Sequence, residues 1–164
     1  MEDKTILLIS DTHNDLKSFR ILSDRFKGKK FLASIHLGDV VDFSNLSILR
    51  DISNEFYLVK GNNDILDLST SKILRDLDIS FSTSPFEIFI ENFGYIILMH
   101  EPFFLKDYLQ KEHPRYIFYG HTHKKDLKFE NGKTVVNPGS LSYFLSKEKT
   151  YALIDEKGVR FEKV

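Results

Sequence analysis

The 164-residue chain contains no cysteine. That absence removes disulfides, thiolate metal sites and cysteine nucleophiles together, so a bound metal must be held by His, Asp, Glu or Asn. It also fits a reducing compartment. No stretch approaches the roughly 20 apolar residues that cross a bilayer. The short run Ile6 to Ile9 stands behind acidic Glu2 and Asp3, where a secretion signal would have a basic flank. The expected setting is therefore the cytoplasm, without a membrane partner. An excess of one charge is missing as well: 23 Lys and Arg face 24 Asp and Glu. The short basic run Lys27-Gly28-Lys29-Lys30 reads as a solvated turn, so extended nucleic acid is not an expected partner. Repeats, low-complexity stretches and linkers are absent too, which leaves residues 1–164 as a single domain.

What is present is ordinary globular composition, 41% hydrophobic and 29% charged, which argues against disorder. The 15 Phe exceed what is usual; some rings can be spared for a groove or for self-association into a homo-oligomer. In the first half, apolar runs alternate with helical spacing. Strands are expected at Thr5–Ser10, Phe31–Leu37 and Glu55–Lys60, and helices at Leu16–Phe26, Ser44–Ile52 and Ser69–Leu77. That order suggests βαβ units with right-handed crossovers. In the second half, Phe86–Glu91 and Tyr95–Met99 form an expected hairpin around Asn92-Phe93-Gly94. A helix at Phe103–Lys111 follows, then strands at Tyr116–Tyr119, Asp126–Glu130, Lys133–Val136, Thr150–Ile154 and Val159–Glu162. The expected class is α/β, with two sheets packed face to face between helices.

Five of these strands end alike, in an apolar run, often a Gly, and then a residue able to bind metal. Asp11 and His13 follow the first, Asp39 the second and Asn62 the third. His100 follows Tyr95–Met99, and His121 and His123 follow Tyr116–Tyr119. Carboxyl ends of strands form the ligand crevice of α/β sheets, so these scattered residues can converge. Side chains two apart in extended chain face one way, which pairs Asp11 with His13 and His121 with His123. Gly38, Gly61 and Gly120 each precede a candidate ligand, where a tight bend or close backbone approach is useful. The donor set suits Mn, Fe, Co, Ni or Zn.

Each piece alone has a bland explanation. Asp-x-His occurs in surface turns, Asp39 or Asp42 can cap the helix Ser44–Ile52, and Gly-Asn-Asn-Asp and Asn-Pro-Gly-Ser are turn chemistry. His36, inside an apolar strand, reads as a hydrogen-bonded core residue, and His113 as part of an exposed turn before Pro114. Phe103 and Phe104 are assigned to core packing, with a pocket wall as the alternative. The ordered combination outweighs the bland readings for the metal residues.

That combination resembles a known family. Asp11-Thr12-His13, Gly38-Asp39-Val40-Val41-Asp42, Gly61-Asn62-Asn63-Asp64, His100 and Gly120-His121-Thr122-His123 are similar to the ordered signatures of calcineurin-like metallophosphoesterases. Asn137-Pro138-Gly139-Ser140 resembles the small bacterial and archaeal phosphodiesterases, to which the retromer subunit of the same fold is related. The resemblance implies a four-layer αββα sandwich with two mixed β-sheets. It implies two divalent cations, Mn first and Fe, Ni, Co or Zn as alternatives: Asp11, His13 and His123 on one, Asn62, His100 and His121 on the other, and Asp39 bridging. Asp39, Asn62 and His100 are then the candidate catalytic residues, and Asn63, Glu101 and Thr122 candidates for contacting a small phosphate-ester substrate. Asp64 is expected to fix an imidazole or Asn62 by hydrogen bonding.

The implied reaction is hydrolysis of a phosphodiester by a metal-activated hydroxide, since two cations about 3.5–4 Å apart lower the pKa of a bound water. The chain departs from larger relatives in carrying Asn63 where a proton-donating His is common, and Glu101 where Gly is common. A phosphomonoesterase or nucleotide pyrophosphatase, and a non-catalytic scaffold on the same fold, are the alternatives.

Overall fold

The computed structural model describes residues 4–164. Its strands form two mixed sheets. The first is ordered β11-β10-β1-β2-β3-β4, from Gly158–Lys163, Thr150–Asp155, Ile6–Ile9, Phe31–His36, Ser53–Val59 and Ser80–Ser82. The second is ordered β5-β6-β7-β9-β8, from Phe86–Ile90, Gly94–Met99, Tyr116–Tyr119, Lys133–Pro138 and Lys125–Glu130. β1 to β4 run parallel, as do β6, β7 and β9, while β10 pairs antiparallel with β1 and with the edge strand β11, and β5 and β8 pair antiparallel at the edges of the second sheet.

Alternation within the continuous apolar runs explains the layering. Ile6 and Leu8 of β1 join Ala33, Ile35, Ile96, Leu98, Phe118 and Val136 in a core between the sheets. Their neighbours Leu7 and Ile9 face the other way. They pack against Phe19 and Leu22 of α1 (Leu16–Arg25), Leu49 of α2 (Ser47–Arg50) and Leu74 of α3 (Leu68–Asp76). On the far side, Ile97, Met99, Ile117 and Val135 meet Leu109 of α4 (Leu105–Leu109). A strand buried on both faces has no polar face to alternate, which is why these runs read as apolar throughout. The four layers are therefore helices, sheet, sheet and helix, in agreement with the expected sandwich.

Local chemistry sets most boundaries. Asp15 caps α1 by accepting from the Ser18 N–H, and Asp67 and Thr70 form a capping box on α3. The expected helix Ser44–Ile52 is shorter and begins as a 3₁₀ turn, Phe43–Leu46, capped by Asp42 through the Ser44 N–H. Phe103–Lys111 likewise resolves into a 3₁₀ turn at Pro102–Phe104 and the short α4, because Pro102 starts the turn. β4 was not expected from the sequence. It has only three residues and pairs only at an edge, too short for a periodic signal.

Candidate active site

β1, β2 and β3 of one sheet and β6 and β7 of the other bring their carboxyl ends to a common crevice, and the metal-type residues emerge there. Successive loops are stitched together by backbone bonds. Asp11 N–H donates to Gly38 O (3.0 Å), His13 N–H to Asp39 O (2.9 Å) and Gly120 N–H to His100 O (3.0 Å). The backbone approach is so close that a Cβ on Gly61 would lie 2.2 Å from both Asp39 N and Asp39 Oδ1, and one on Gly120 would lie 2.2 Å from Ser10 Oγ. Only glycine fits either place.

Five of the seven candidate ligands, Asp11, His13, Asp39, His121 and His123, have positive φ, between 41° and 66°. Such backbone is uncommon for non-glycine residues and persists where the surroundings over-determine it. Here the left-handed bend turns each side chain off its strand and into the crevice.

The side chains gather in two lobes. In the first, ligand atoms of Asp11, His13, Asp39 and His123 all lie within 4.8 Å of one another. His123 Nε2 is 3.3 Å from Asp11 Oδ1 and 3.4 Å from His13 Nε2. In the second, Asn62 Oδ1 lies 2.8 Å from His100 Nε2 and 3.1 Å from His121 Nδ1. Asp39 Oδ2 stands between the lobes, 3.6 Å from His13 Nε2 and 3.5 Å from His100 Nε2. Cation bonds to such donors of about 2.0–2.2 Å put neighbouring ligand atoms about 3–3.5 Å apart. The observed spacings are of that size.

Protonation points the same way. His100 Nδ1–H donates to Leu37 O (2.6 Å) and His123 Nδ1–H to Phe144 O (2.6 Å), which leaves both Nε2 atoms directed inward. A carbonyl partner of this kind fixes the tautomer a metal needs. Asp11 Oδ2 accepts from Ser10 Oγ–H (2.6 Å) and His121 N–H (3.0 Å), but buried Asp11 Oδ1 has no hydrogen-bond partner. A buried carboxylate oxygen without a partner is costly, and a cation in the first lobe would relieve it. The donors are oxygen and nitrogen with no sulfur, so the residues fit a hard or borderline divalent ion.

Burial and the nearby carboxylates pull the imidazole pKa values in opposite directions, and the balance differs from ring to ring. Burial lowers the pKa of His100, but the Asp39 hydrogen bond and the charges of Asp11 and Asp39 outweigh it and leave the value raised. His123 is raised chiefly by the Asp11 carboxylate beside its Nε2. His13 is lowered because burial outweighs Asp39 and Asp11. Burial tends to raise Asp39, yet hydrogen bonds from His100 and Asn63 hold it well below the usual carboxylate range. In the metal-free protein, then, protons compete for the positions a cation would take.

The surrounding residues have roles the sequence did not disclose. Asn63 donates from its backbone N–H to Asp39 Oδ1 (2.9 Å) and from Nδ2 to Asp39 Oδ2 (2.8 Å). Asp64 reaches neither an imidazole nor Asn62, contrary to expectation. It accepts from the backbone N–H groups of Asp39, Val41 and Gly61, each at 2.8 Å, because the Gly61–Asp64 turn lies directly beside the Asp39 loop. Asn137 Nδ2 donates to Gly120 O (2.9 Å) and Thr122 Oγ1 (3.0 Å), and Ser140 Oγ–H donates to Asp11 O (2.8 Å). The Asn-Pro-Gly-Ser turn thus props the His121–His123 loop and the Asp11 loop.

His36 is fully buried as expected. It accepts from Gly38 N–H at Nδ1 (3.0 Å) and makes a 3.1 Å bond with Thr12 Oγ1, and burial pushes its pKa down to about 4. Phe144, whose ring centroid is 4.9 Å from that of His13, escaped notice because only its carbonyl and ring position, not its residue type, tie it to the site. Phe103 and Phe104 are not core: they are 77% and 42% exposed, since Pro102 turns the chain outward after His100. Glu101 is half-buried, with Asn62 and His100 in one cavity wall, and Thr122 is exposed.

Two sheets between helices and an Asp/His cluster at the strand ends define a metal-type hydrolase site. Residues 5–158 match the calcineurin-like phosphoesterase superfamily domain, and the chain belongs to that superfamily: it is an enzyme, a hydrolase acting on phosphate esters. Family and cluster together imply a divalent metal. Phosphodiesterase MJ0936 of Methanocaldococcus jannaschii is 22% identical over 159 residues, 96% of each chain. Among solved structures, an archaeal phosphodiesterase matches with a TM-score of 0.85 at 22% identity, over 98% of this chain and 99% of that one. Zn-complexed Vps29 of Entamoeba histolytica matches at 0.71 and 22% identity, over 98% of each. YfcE, a phosphoesterase of E. coli, matches at 0.70 and 20% identity, over 93% of this chain and 88% of that one. No helix among the described residues is long and apolar enough to cross a membrane.

Proposed function

We propose that this protein hydrolyses phosphodiester bonds in a small or nucleotide-like substrate, as one cytoplasmic domain working with two divalent cations. Asp11, His13 and His123 would hold one cation and Asn62, His100 and His121 the other, with Asp39 within reach of both. Mn is the first choice, and Fe, Ni, Co or Zn suit the same donors. The observation that carries this is the two-lobed cluster on either side of Asp39 Oδ2, together with the unpartnered Asp11 Oδ1.

When bound, such a pair of cations acidifies water for in-line attack on phosphorus and offsets charge on the phosphate oxygens. The protein's residues orient and select. Asn63 grips both oxygens of Asp39 and has no acidic proton to give, so the departing alkoxide takes its proton from water. Thr122 Oγ1 accepts from Asn137, which leaves its O–H free to donate to a phosphate oxygen. Glu101 adds negative charge in the wall beside His100. It favours a monoanionic diester over a dianionic monoester.

The test is metal content by plasma mass spectrometry alongside turnover of bis(p-nitrophenyl) phosphate and p-nitrophenyl phosphate. Bound cations and faster diester hydrolysis are expected, with activity lost but folding retained in Asp39→Asn and His121→Ala. Glu101→Gly should narrow the diester preference, and an unchanged ratio refutes its role. A protein that retains no metal and turns over neither ester refutes the proposal in favour of a non-catalytic scaffold on the same fold.

A further inference from the structure

Two separate cavities adjoin the opposite lobes of the cluster. One, of about 280 Å³, is walled by the second-lobe residues Asn62 and His100 with Phe103 and Phe104. The other, of about 520 Å³, touches the first-lobe residue His123 and is lined by Lys124, Lys125 and Lys147. They share no lining residue. A monoester has one organic substituent on phosphorus and needs one such space, whereas a diester has two.

The cavities also differ in chemistry. On the second-lobe side, Phe103 and Phe104 keep much of their ring surface in water, 77% and 42% exposed, although an apolar ring gains by being covered. Rings held at the mouth of a small cavity beside a phosphate-handling site offer a stacking surface for a planar heterocycle. On the first-lobe side, Lys125 is paired with Glu148 (3.3 Å), which is itself also paired with Lys163 (2.7 Å). Lys124 and Lys147 have no ion-pair partner among the described residues. The cavity therefore carries uncompensated positive charge next to His123, suited to a second anionic group.

Building on the phosphodiesterase reading above, we infer that the substrate is an asymmetric nucleotide diester. Its nucleobase stacks on Phe103 and Phe104, and its other arm bears a further phosphate received by Lys124 and Lys147. A short 5′-phosphorylated dinucleotide has this form. Hydrolysis joins the water oxygen to phosphorus and breaks the bond to one ester oxygen. The water's protons pass to the departing alkoxide and to solvent, giving an alcohol and a phosphomonoester.

The test uses the Mn-loaded enzyme with the 5′-phosphorylated dinucleotide of adenosine, the same dinucleotide lacking its terminal phosphate, and an abasic counterpart. Bis(p-nitrophenyl) phosphate serves as the control for hydrolysis itself. Phe103→Ala, at an exposed position that leaves packing intact, should lower kcat/KM for the adenosine diesters roughly 5- to 150-fold, the loss expected of one base–aromatic stack. It should leave the abasic diester unchanged. The double variant Lys124→Ala, Lys147→Ala should cut the preference for the terminal phosphate at least about threefold, and added salt should weaken that preference in the unsubstituted enzyme. Calorimetric titration should show adenosine 5′-phosphate binding more tightly than ribose 5-phosphate, with the gap closed by Phe103→Ala. If the control is hydrolysed but nucleosidic, abasic and phosphorylated diesters are treated alike, this inference fails while the phosphodiesterase reading stands. If no diester is hydrolysed, both fail.

Discussion

Replacing Asp64 tests how the site is held in place. This carboxylate is 3% exposed and receives the N–H groups of Asp39, Val41 and Gly61, each at 2.8 Å, with Oδ2 taking two and Oδ1 one. The loop it holds is strained: Asp39 has φ 58° and the β-branched Val41 has φ 76°. Hydrogen bonds to a charged group contribute about 1.5–3 kcal/mol each, and a buried donor left without a partner costs about 1–3 kcal/mol. Asp64→Asn keeps one acceptor for the Asp39 and Gly61 N–H groups but turns an NH₂ toward Val41 N–H. It therefore loses one charge-assisted bond and opposes two donors, a cost of about 2–3 kcal/mol. Asp64→Ala strands all three donors and should cost more, about 4 kcal/mol once water reaches the outermost. At about 2–4 °C per kcal/mol for a chain of this size, Asp64→Asn should lower Tm by about 4–12 °C. Thermal and urea unfolding followed by far-UV circular dichroism in EDTA would measure this without a contribution from metal. An Asn variant that melts with the unsubstituted protein would refute the account of the loop.

Other outcomes follow from the same structure. Gly61→Ala puts a Cβ 2.2 Å from Asp39 N and Oδ1, so it should abolish cation binding, measured by equilibrium dialysis, and reduce turnover more than it lowers Tm. His36 is neutral in the folded protein down to about pH 4, whereas its ordinary value is 6.5. The unfolded chain binds the extra proton between those limits, so stability falls as pH drops from 6.5 to 4, by about 3 kcal/mol from this residue, and levels off below. His36→Gln should flatten that slope relative to the unsubstituted metal-free protein; an identical slope excludes His36 as its source. Phe144→Ala keeps the carbonyl that receives His123 Nδ1–H but removes the ring beside His13, so it should weaken cation affinity modestly, read by chelator competition, with little change in Tm.

The chain's own order of residues determined a good deal. Apolar runs buried on both faces announced parallel strands, and the residues just beyond those runs, Asp11, Asp39, Asn62, His100 and His121, could be picked out because chemistry in such sheets collects at carboxyl ends. The glycines before them were legible as places of close approach. What could not be read locally depends on which loops become neighbours. Sequence position does not say which group Asp64 supports, and only the contact between its turn and the Asp39 loop directs its oxygens to three backbone N–H groups. Phe103 and Phe104 have the residue type of a core, and it is the outward turn at Pro102 that leaves them at a cavity mouth. Phe144 reaches His123 across 21 positions of sequence, through a backbone carbonyl that every residue type possesses. Side-chain type and spacing are encoded along the chain, whereas backbone partners and solvent exposure are properties of the packed assembly, and the tertiary structure alone settles them.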